Sequence, residues 1–376
     1  MKKLGFGMMR LPMPDPKEQG KIDLDQVCAM VDRFLDRGYT YFDTAYMYHA
    51  GESEHAARDA LVKRHPRDSF TLADKMPLFH FKPEDGPDRQ AQVFDHQLEK
   101  CGVDYFDYYL LHCVDAASYE IAKRLDTFGF LQQKKAEGAI RRLGFSFHDK
   151  ADVLDRVLTE HPEAEFVQLQ LNYLDWEDER VQSRKCYETA RRHGKQVVVM
   201  EPVKGGKLAR LPEEAAALLR DVHPDWSPAS WAIRFAAGLE GVMVVLSGMS
   251  SLEQLEENTS FMHAPPPLTA GERETLARAA EIISAVPAIA CTACRYCADN
   301  CPQSVKIPEY FSLYNDDQTA LRRGLQPSRD AYRQLAEGAG KASDCVCCRQ
   351  CEQKCPQHLP ITEWLGRVKR LYEAEA

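Results

Sequence analysis

Eight short runs rich in β-branched and aromatic residues alternate with longer, helix-like stretches between residues 4 and 249. The runs are LGFGMM, YTYFDTA, SFTLADKM, YFDYYLLH, IRRLGFSFH, FVQLQLN, QVVVMEPV and VMVVLSGM. The stretches between them include LDQVCAMVDRFLDRG, SEHAARDALVKRH, RQAQVFDHQLEKCG and EDERVQSRKCYETARRHG. Strands that each precede a helix predict an α/β fold, a TIM (β/α)8 barrel, with an open doubly wound sheet as second choice. No G-x-G-x-x-G loop follows the first run, which disfavours the doubly wound dinucleotide fold.

Composition and charge exclude several classes of function. The 376 residues are 44% hydrophobic and 28% charged, with a formal net charge of −9 and no basic run. We therefore expect neither nucleic-acid nor membrane partners, since no apolar stretch reaches bilayer length either. The first residues, MKKLGFGMMRLP, hold an apolar run too short for a secretory signal. This predicts a cytoplasmic protein.

Nine of the thirteen cysteines lie in two similar segments, CTACRYCADNCP at 291–302 and CVCCRQCEQKCP at 345–356, and eight of these nine share one spacing. The spacing C-x2-C-x2-C-x3-C-P predicts two 4Fe–4S clusters, in which the last cysteine of each segment binds the other cluster. Zinc and disulfides are the alternatives; the third cysteine and the Cys-Pro, both present twice, disfavour them. Cys347 has no place in the motif. The predicted ligand sets are Cys291, Cys294, Cys297 and Cys355, and Cys345, Cys348, Cys351 and Cys301.

The cysteine segments resemble a dicluster ferredoxin. The residues between them, 303–344, are more numerous than in compact ferredoxins and include the helix-like IPEYFSLYN and RDAYRQLAEGAG. The region is therefore more similar to the helical ferredoxin domain of respiratory iron–sulfur subunits. Prolines in MHAPPPLTAGERE, residues 262–274, mark the boundary. We predict a barrel domain at 1–265 and a smaller, mainly helical, ferredoxin-like domain at 266–376.

Polar residues recur where the predicted strands end, at Asp43, Lys75, His112, His148 and Asn172. Taken singly, each is more often structural than catalytic. Three segments that contain some of them, YFDTAYMY, ADKMP and LLHC, resemble the signature segments of aldo-keto reductases. The family's catalytic tetrad corresponds here to Asp43, Tyr48, Lys75 and His112. The spacing D-T-A-x-x-Y and the Gly-Glu-Ser-Glu at 51–54 also match.

The residue types in this tetrad suit carbonyl reduction. Hydride addition places negative charge on the carbonyl oxygen, which then needs a proton donor. Tyr48 would be that donor, and we expect Lys75 beside it to lower its pKa. Asp43 would keep Lys75 charged, and His112 would position the carbonyl. The alternative is an ion pair inside the barrel with a tyrosine that only packs.

The resemblance implies a nicotinamide cofactor lying across the barrel mouth. The residues that would hold it are Gly7 and Arg10 at the pyrophosphate, Ser146 and Gln168 at the carboxamide, and Ser250, Gln254, Glu257 and Asn258 at the adenosine. The family's basic residues for a 2′-phosphate correspond to Gly248 and Gln254, so the resemblance does not decide between NAD(H) and NADP(H). The family's stacking aromatic residue corresponds to Met200, and its fifth-strand asparagine to Phe147.

From end to end the chain resembles a branch of aldo-keto reductases that carries a ferredoxin-type domain. This predicts an oxidoreductase that interconverts a small carbonyl and an alcohol by hydride transfer, with the clusters as electron donor or acceptor, gate or structural brace. A flavin could join two-electron to one-electron chemistry, but no flavin motif is present. The alternatives are an iron–sulfur electron-transfer protein whose barrel is flavin-linked or inactive, and a non-redox lyase or isomerase using the tetrad. A redox partner protein is left open.

Overall fold

A computed structural model of the chain describes residues 2–15, 20–263, 265–285, 288–298, 301–322 and 324–374. Its eight strands form one closed, fully parallel barrel in chain order, in which β1 also pairs with β8. The TIM-barrel prediction is confirmed, and the open-sheet alternative is wrong because the β1–β8 pair closes the sheet. The strands are β1 Leu4–Gly7, β2 Tyr41–Asp43, β3 Thr71–Met76, β4 Phe106–Val114, β5 Ile140–Phe147, β6 Phe166–Gln170, β7 Gln196–Met200 and β8 Val242–Ser247.

Helices follow the strands and continue beyond the barrel. Those up to residue 261 are α1 Leu24–Asp36, α2 Ser53–Ala57, α3 Asp88–Cys101, α4 Ala116–Arg124, α5 Thr127–Ala136, α6 Ala151–Glu160, α7 Ser183–Arg192, α8 Glu213–Val222, α9 Pro228–Ala237 and α10 Leu252–Phe261. Those that follow are α11 Ala270–Ser284, α12 Ile307–Arg322, α13 Arg329–Ala336, α14 Gln350–Gln353 and α15 Ile361–Tyr372. No helix in the described ranges is both long and apolar enough to cross a bilayer.

The sequence pattern explains where these elements begin and what they bury. In α1, four apolar residues at helical spacing are buried, and the Asp23 carboxylate caps the helix by accepting a bond from the Gln26 amide. The α7 helix is shorter than its sequence pattern predicts. It begins at Ser183, because Gln182 before it has a left-handed backbone (φ 54°). Inward side chains of the strands fill the barrel: Tyr41, Ala73, Tyr108, Leu110, Phe166, Val198, Val244 and Leu246.

The described residues form two compact units. The first contains residues 1–178, 182–202 and 230–269, and the second contains 179–181, 203–229 and 270–376. The segment after β7, residues 203–229, thus groups with the C-terminal residues. The predicted boundary between residues 265 and 266 stays a prediction. In the C-terminal unit, a separate core of aromatic and aliphatic side chains from α12, α13 and α15 also includes Cys297 and Cys351.

Candidate active site and cysteine cavities

The four tetrad residues come together at the carboxyl ends of neighbouring strands. Asp43 ends β2, Lys75 lies in β3 and His112 in β4, while Tyr48 begins the turn after β2. Parallel strands bring their carboxyl ends to the same rim of a barrel, so residues distant in sequence meet there. All four are buried, with Tyr48 the most accessible at 8% exposure.

Lys75 is the centre of this group. Its Nζ donates to Asp43 Oδ1 at 2.6 Å, to the Thr44 carbonyl at 2.6 Å and to the Tyr48 hydroxyl oxygen at 3.3 Å. The His112 ring lies edge-on to the Tyr48 ring, with 5.9 Å between the centroids. Tyr48 therefore stands between a buried cation and an imidazole.

Burial dominates the electrostatics of the site. It raises the pKa of Tyr48 to about 12, even though the Lys75 charge lowers it. Burial, aided by the Lys75 charge, holds the pKa of His112 well below its ordinary value. Burial alone would lower the pKa of Lys75, but Asp43 and Tyr48 outweigh it and the pKa rises. At neutral pH the site therefore holds a charged lysine, a neutral histidine and a protonated phenol. The Lys75 charge lowers the Tyr48 pKa, as expected from the sequence, but burial outweighs this effect and the pKa rises.

The two residues expected at a carboxamide lie side by side. Ser146 and Gln168 are paired in register across β5 and β6, and both are buried. Gln168 Oε1 is buried and accepts no hydrogen bond from the described part of the chain. Ser146 Oγ accepts a bond from the Cys113 amide at 2.8 Å, which leaves its own proton to donate. An acceptor beside a donor fits the amide of a nicotinamide ring.

Residues expected at the pyrophosphate and adenosine converge in the loops after β1 and β8. Ser250 Oγ donates to the Arg10 carbonyl at 2.8 Å, and Gln254 Oε1 accepts from the Ser250 amide at 2.8 Å. A side chain on Gly7 would lie 3.4 Å from the Ser247 carbonyl, so the backbones approach closely there. Asn258 donates to Ser247 Oγ at 3.1 Å. Glu257, one residue earlier on α10, is exposed.

Other predicted strand-end residues have separate roles. The Asn172 amide donates to Asp175 Oδ2 at 2.8 Å and to the Glu201 carbonyl at 3.1 Å, which fixes the loop after β6. His148 is close enough to His112 for its charge to lower the His112 pKa.

The eight motif cysteines line two cavities. Each cavity takes three cysteines from one segment and the last cysteine of the other. The first cysteine cavity is lined by Cys291, Cys294, Cys297 and Cys355, and the second by Cys345, Cys348, Cys351 and Cys301. The structure thus brings together the two sets predicted from the motif. Ile307 borders both cavities.

The cysteines of the first cavity lie close enough for their charges to interact. Burial raises the pKa of Cys297, and the neighbouring thiols raise it further. Burial also raises the pKa of Cys351 to about 11. Four thiolates this close would repel one another unless a cationic centre balanced them. Backbone amides of Ala293 and Val305 approach Cys291 and Cys301 Sγ at 3.4 Å, the kind of bond that tunes iron–sulfur potentials.

Comparisons with known proteins support both the barrel and the cysteine-rich domain. Residues 3–281 match the model of the aldo/keto reductase family. The chain belongs to that family. Residues 290–360 match a 4Fe-4S dicluster domain, so this aldo/keto reductase carries an iron–sulfur domain after its barrel. The predicted branch and oxidoreductase class are confirmed at the level of the family.

The relatives are distant. An aldo-keto reductase of Mycolicibacterium smegmatis is 28% identical over 144 residues, 38% of this chain and 45% of the relative, so less than half of that relative is matched. L-Galactose dehydrogenase of Arabidopsis thaliana is 24% identical over 295 residues, 72% of this chain and 86% of the relative. The structure of an aldo-keto reductase of Bacillus halodurans, in its holo form, is 26% identical with a TM-score of 0.59. The match covers 74% of this chain and 91% of the chain of that structure.

Two features of this aldo/keto reductase are not predictable from its sequence. The Thr44 carbonyl is a third acceptor for Lys75, at the same 2.6 Å as the carboxylate. Cys113, next to His112, interrupts β4 with a left-handed backbone (φ 56°), where the strand pairing with β5 shifts register. Cys113 is close enough to Tyr48 that its thiolate form would raise the Tyr48 pKa. The sequence gives no signal for this irregularity.

Proposed function

We propose that this aldo/keto reductase interconverts a small carbonyl compound and an alcohol with a nicotinamide cofactor. The observation that carries the proposal is the buried Tyr48 hydroxyl, 3.3 Å from a Lys75 ammonium that Asp43 holds at 2.6 Å. A phenol with a pKa of about 12 stays protonated at neutral pH and is available to donate. An isolated packing tyrosine needs no buried cation beside it, which argues against a purely structural ion pair.

Each tetrad residue has a defined task in this reaction. A reduced nicotinamide, when bound, supplies the hydride that forms the new C–H bond. The Tyr48 O–H bond breaks as the proton passes to the carbonyl oxygen, which becomes the alcohol. Lys75 stabilises the resulting phenolate, and Asp43 and the Thr44 carbonyl keep the ammonium in place. Neutral His112 can donate an N–H to the carbonyl oxygen and so orient it.

The cofactor would be held by residues from four strand ends. Ser146 and Gln168 suit its carboxamide, while Gly7, Arg10, Ser250, Gln254, Glu257 and Asn258 are proposed for the pyrophosphate and adenosine. The positions of the family's phosphate-binding cations are Gly248 and Gln254, and the Gln254 amide oxygen already accepts a bond from Ser250. Two uncharged residues there favour NADH over NADPH, since a 2′-phosphate would gain no counter-ion from them.

The iron–sulfur domain is proposed to hold two 4Fe–4S clusters in the two cysteine cavities. The crossed ligand sets support this, because the two-cluster spacing requires each last cysteine to reach the other centre. Such clusters supply one-electron transfer, and they would serve as electron donor or acceptor, gate or brace. A redox partner protein and a flavin are compatible with this role.

Anaerobically purified protein, assayed with a panel of aldehydes and ketones, tests the proposal. NADH and NADPH oxidation would be followed by absorbance, with Tyr48→Phe as the test variant. Tyr41→Phe is the matched control, because Tyr41 is a buried barrel tyrosine whose hydroxyl has no hydrogen-bond partner among the described residues. We expect Tyr48→Phe to lower kcat about 10²- to 10⁴-fold and Tyr41→Phe to leave it nearly unchanged.

Two results would contradict the proposal. A Tyr48→Phe variant as active as the Tyr41→Phe control would remove Tyr48 from the chemistry. Product formation without any change in nicotinamide absorbance would instead favour the lyase or isomerase alternative.

A further inference from the structure

A second buried group of ionisable residues lies behind Lys75, on the outer face of β3. Side chains alternate along a strand, so Asp74 faces the helices while Lys75 faces the barrel mouth. Asp74, Glu54 of α2 and Cys101 of α3 are fully buried, and their ligand-type atoms lie within 4.8 Å of one another. The Lys100 ammonium is 2.5 Å from Glu54 Oε2.

This group holds both backbone polar groups of Lys75. The Lys75 amide donates to Asp74 Oδ1 at 2.8 Å. The Gln97 side-chain amide donates to the Lys75 carbonyl at 3.1 Å and to Glu54 Oε1 at 3.0 Å. Gln97 is itself held by the Tyr109 hydroxyl, which donates to its Oε1. The backbone of Lys75 is thus fixed from outside the barrel, while Asp43 and Thr44 fix its ammonium from inside.

The charges of the group balance without an added ion. Glu54 and Lys100 form a neutral pair. Burial, then the Glu54 charge, raises the pKa of Asp74 well above its ordinary value, which leaves Asp74 protonated between Glu54 and the Lys75 amide. Burial also raises the pKa of Cys101, so the thiol adds no charge. Although carboxylates and a thiol are metal-ligand types, the Lys100 ammonium already supplies the positive charge here.

We propose that Asp74, Glu54 and Gln97 are positioning residues that set the reach of Lys75 towards Tyr48. The inference rests on the proposed catalytic roles of Lys75 and Tyr48. The 3.3 Å separation of Lys75 Nζ and the Tyr48 oxygen is already long for a hydrogen bond. A small shift of the Lys75 backbone would therefore break this contact.

Two substitutions at Asp74 separate positioning from packing. Asp74→Asn keeps an acceptor for the Lys75 amide and offers Glu54 a donor, as the protonated acid does. Asp74→Ala removes both. We expect Asp74→Ala to lower kcat about 10- to 100-fold, because small misplacements of catalytic groups have effects of that size. In Asp74→Ala the change of kcat with pH on the alkaline side should shift, whereas Asp74→Asn should have the kcat and the pH profile of the unaltered protein.

Asp107→Ala is the matched control. Asp107 of β4 also accepts a backbone N–H of β3, that of Leu72 at 2.9 Å, but at the amino-terminal half of the strand. The Asp107→Ala substitution should lower the free energy of unfolding without shifting the pH profile of kcat. Gln97→Met removes the bond to the Lys75 carbonyl at similar volume and provides a second test, should Asp74→Ala not fold.

Crystal structures of the Asp74 variants give a readout that does not depend on turnover. We expect the Lys75–Tyr48 distance to leave hydrogen-bond range in Asp74→Ala and to stay near its present value in Asp74→Asn. If the unaltered protein reduces no carbonyl, the proposed function fails, yet this distance still tests the positioning. An unchanged distance in Asp74→Ala, with an unchanged pH profile, would overturn the inference.

Discussion

Gly205 and Gly206 provide a sharp test of how the first cysteine cavity is supported. Both belong to the C-terminal unit and both have left-handed backbones, with φ of 64° and 93°. A Cβ on Gly205 would lie 2.7 Å from the Thr292 carbonyl oxygen, within the loop between Cys291 and Cys294. A Cβ on Gly206 would meet nothing within 4 Å. The pair therefore separates backbone strain from a clash with the ligand loop.

The expected magnitudes follow from these two terms. A left-handed backbone costs a residue with a Cβ about 1–2 kcal/mol, and both alanine variants carry that cost. Overpacking against buried atoms typically adds about 1–3 kcal/mol, and only Gly205→Ala carries it. At about 1.4 kcal/mol per factor of ten, the difference makes opening of the Thr292 loop roughly 5- to 150-fold more frequent in Gly205→Ala.

Release of iron measures that opening. The anaerobic protein would be mixed with an iron chelator, and loss of the iron–sulfur absorbance would be followed for both variants. We expect Gly205→Ala to lose about half of its iron, one cluster of two, well before Gly206→Ala does. Equal rates for the two variants would show that the Gly205–Thr292 contact does not support the first cysteine cavity.

Three further predictions address the ligands, the buried acid and the cofactor. Cys355→Ser should lower bound iron from about eight to about four per chain, whereas Cys347→Ser should retain all of it by elemental analysis. Because the Asp74 pKa is raised on folding, folded protein keeps a proton that the unfolded chain releases above about pH 4. The free energy of unfolding of the unaltered protein, compared with that of Asp74→Asn, should therefore fall as pH rises from 4 towards the pKa of Asp74 in the folded protein. Denaturant unfolding should show a fall of up to about 1.4 kcal/mol per pH unit, and a difference that stays constant with pH would contradict this. Gln168→Leu should raise the KM for the nicotinamide cofactor about tenfold, because one hydrogen bond to the carboxamide is lost, and should leave the iron content unaltered. An unchanged KM would show that the carboxamide binds elsewhere.

The barrel was predictable because its signals are local and repeated. Each apolar run contains one strand, and parallel topology then places Asp43, Lys75 and His112 at one rim. Local pattern failed where the backbone departs from regular geometry. Residues 177–182 have a helix-like composition, but the left-handed Gln182 delays α7 to Ser183.

The pKa values of the site residues were harder to predict from the sequence. That Lys75 lowers the Tyr48 pKa follows from charge alone, but the size of the opposing burial effect depends on how deeply the fold buries the Tyr48 hydroxyl. The buried group around Asp74 was likewise invisible. Its members come from α2, β3 and α3, and only the folded chain brings their atoms within 4.8 Å.

Cys347 shows why geometry, rather than residue type, selects the cluster ligands. The two cysteine segments fold as repeats, with left-handed residues at equal distances after matching cysteines. These are Ala293 and Arg295 after Cys291, Cys347 and Arg349 after Cys345, and Ser304 and His358 after Cys301 and Cys355. Cys347 therefore occupies the position that Ala293 occupies in the first segment. An alanine there cannot bind iron, yet the first cavity still has its four cysteines. The Cys347 thiol is not part of the lining of the second cavity, whereas its neighbours Cys345 and Cys348 both line it. The fold thus gives both segments the same non-ligand position, and retention of iron by Cys347→Ser would follow from that repeat.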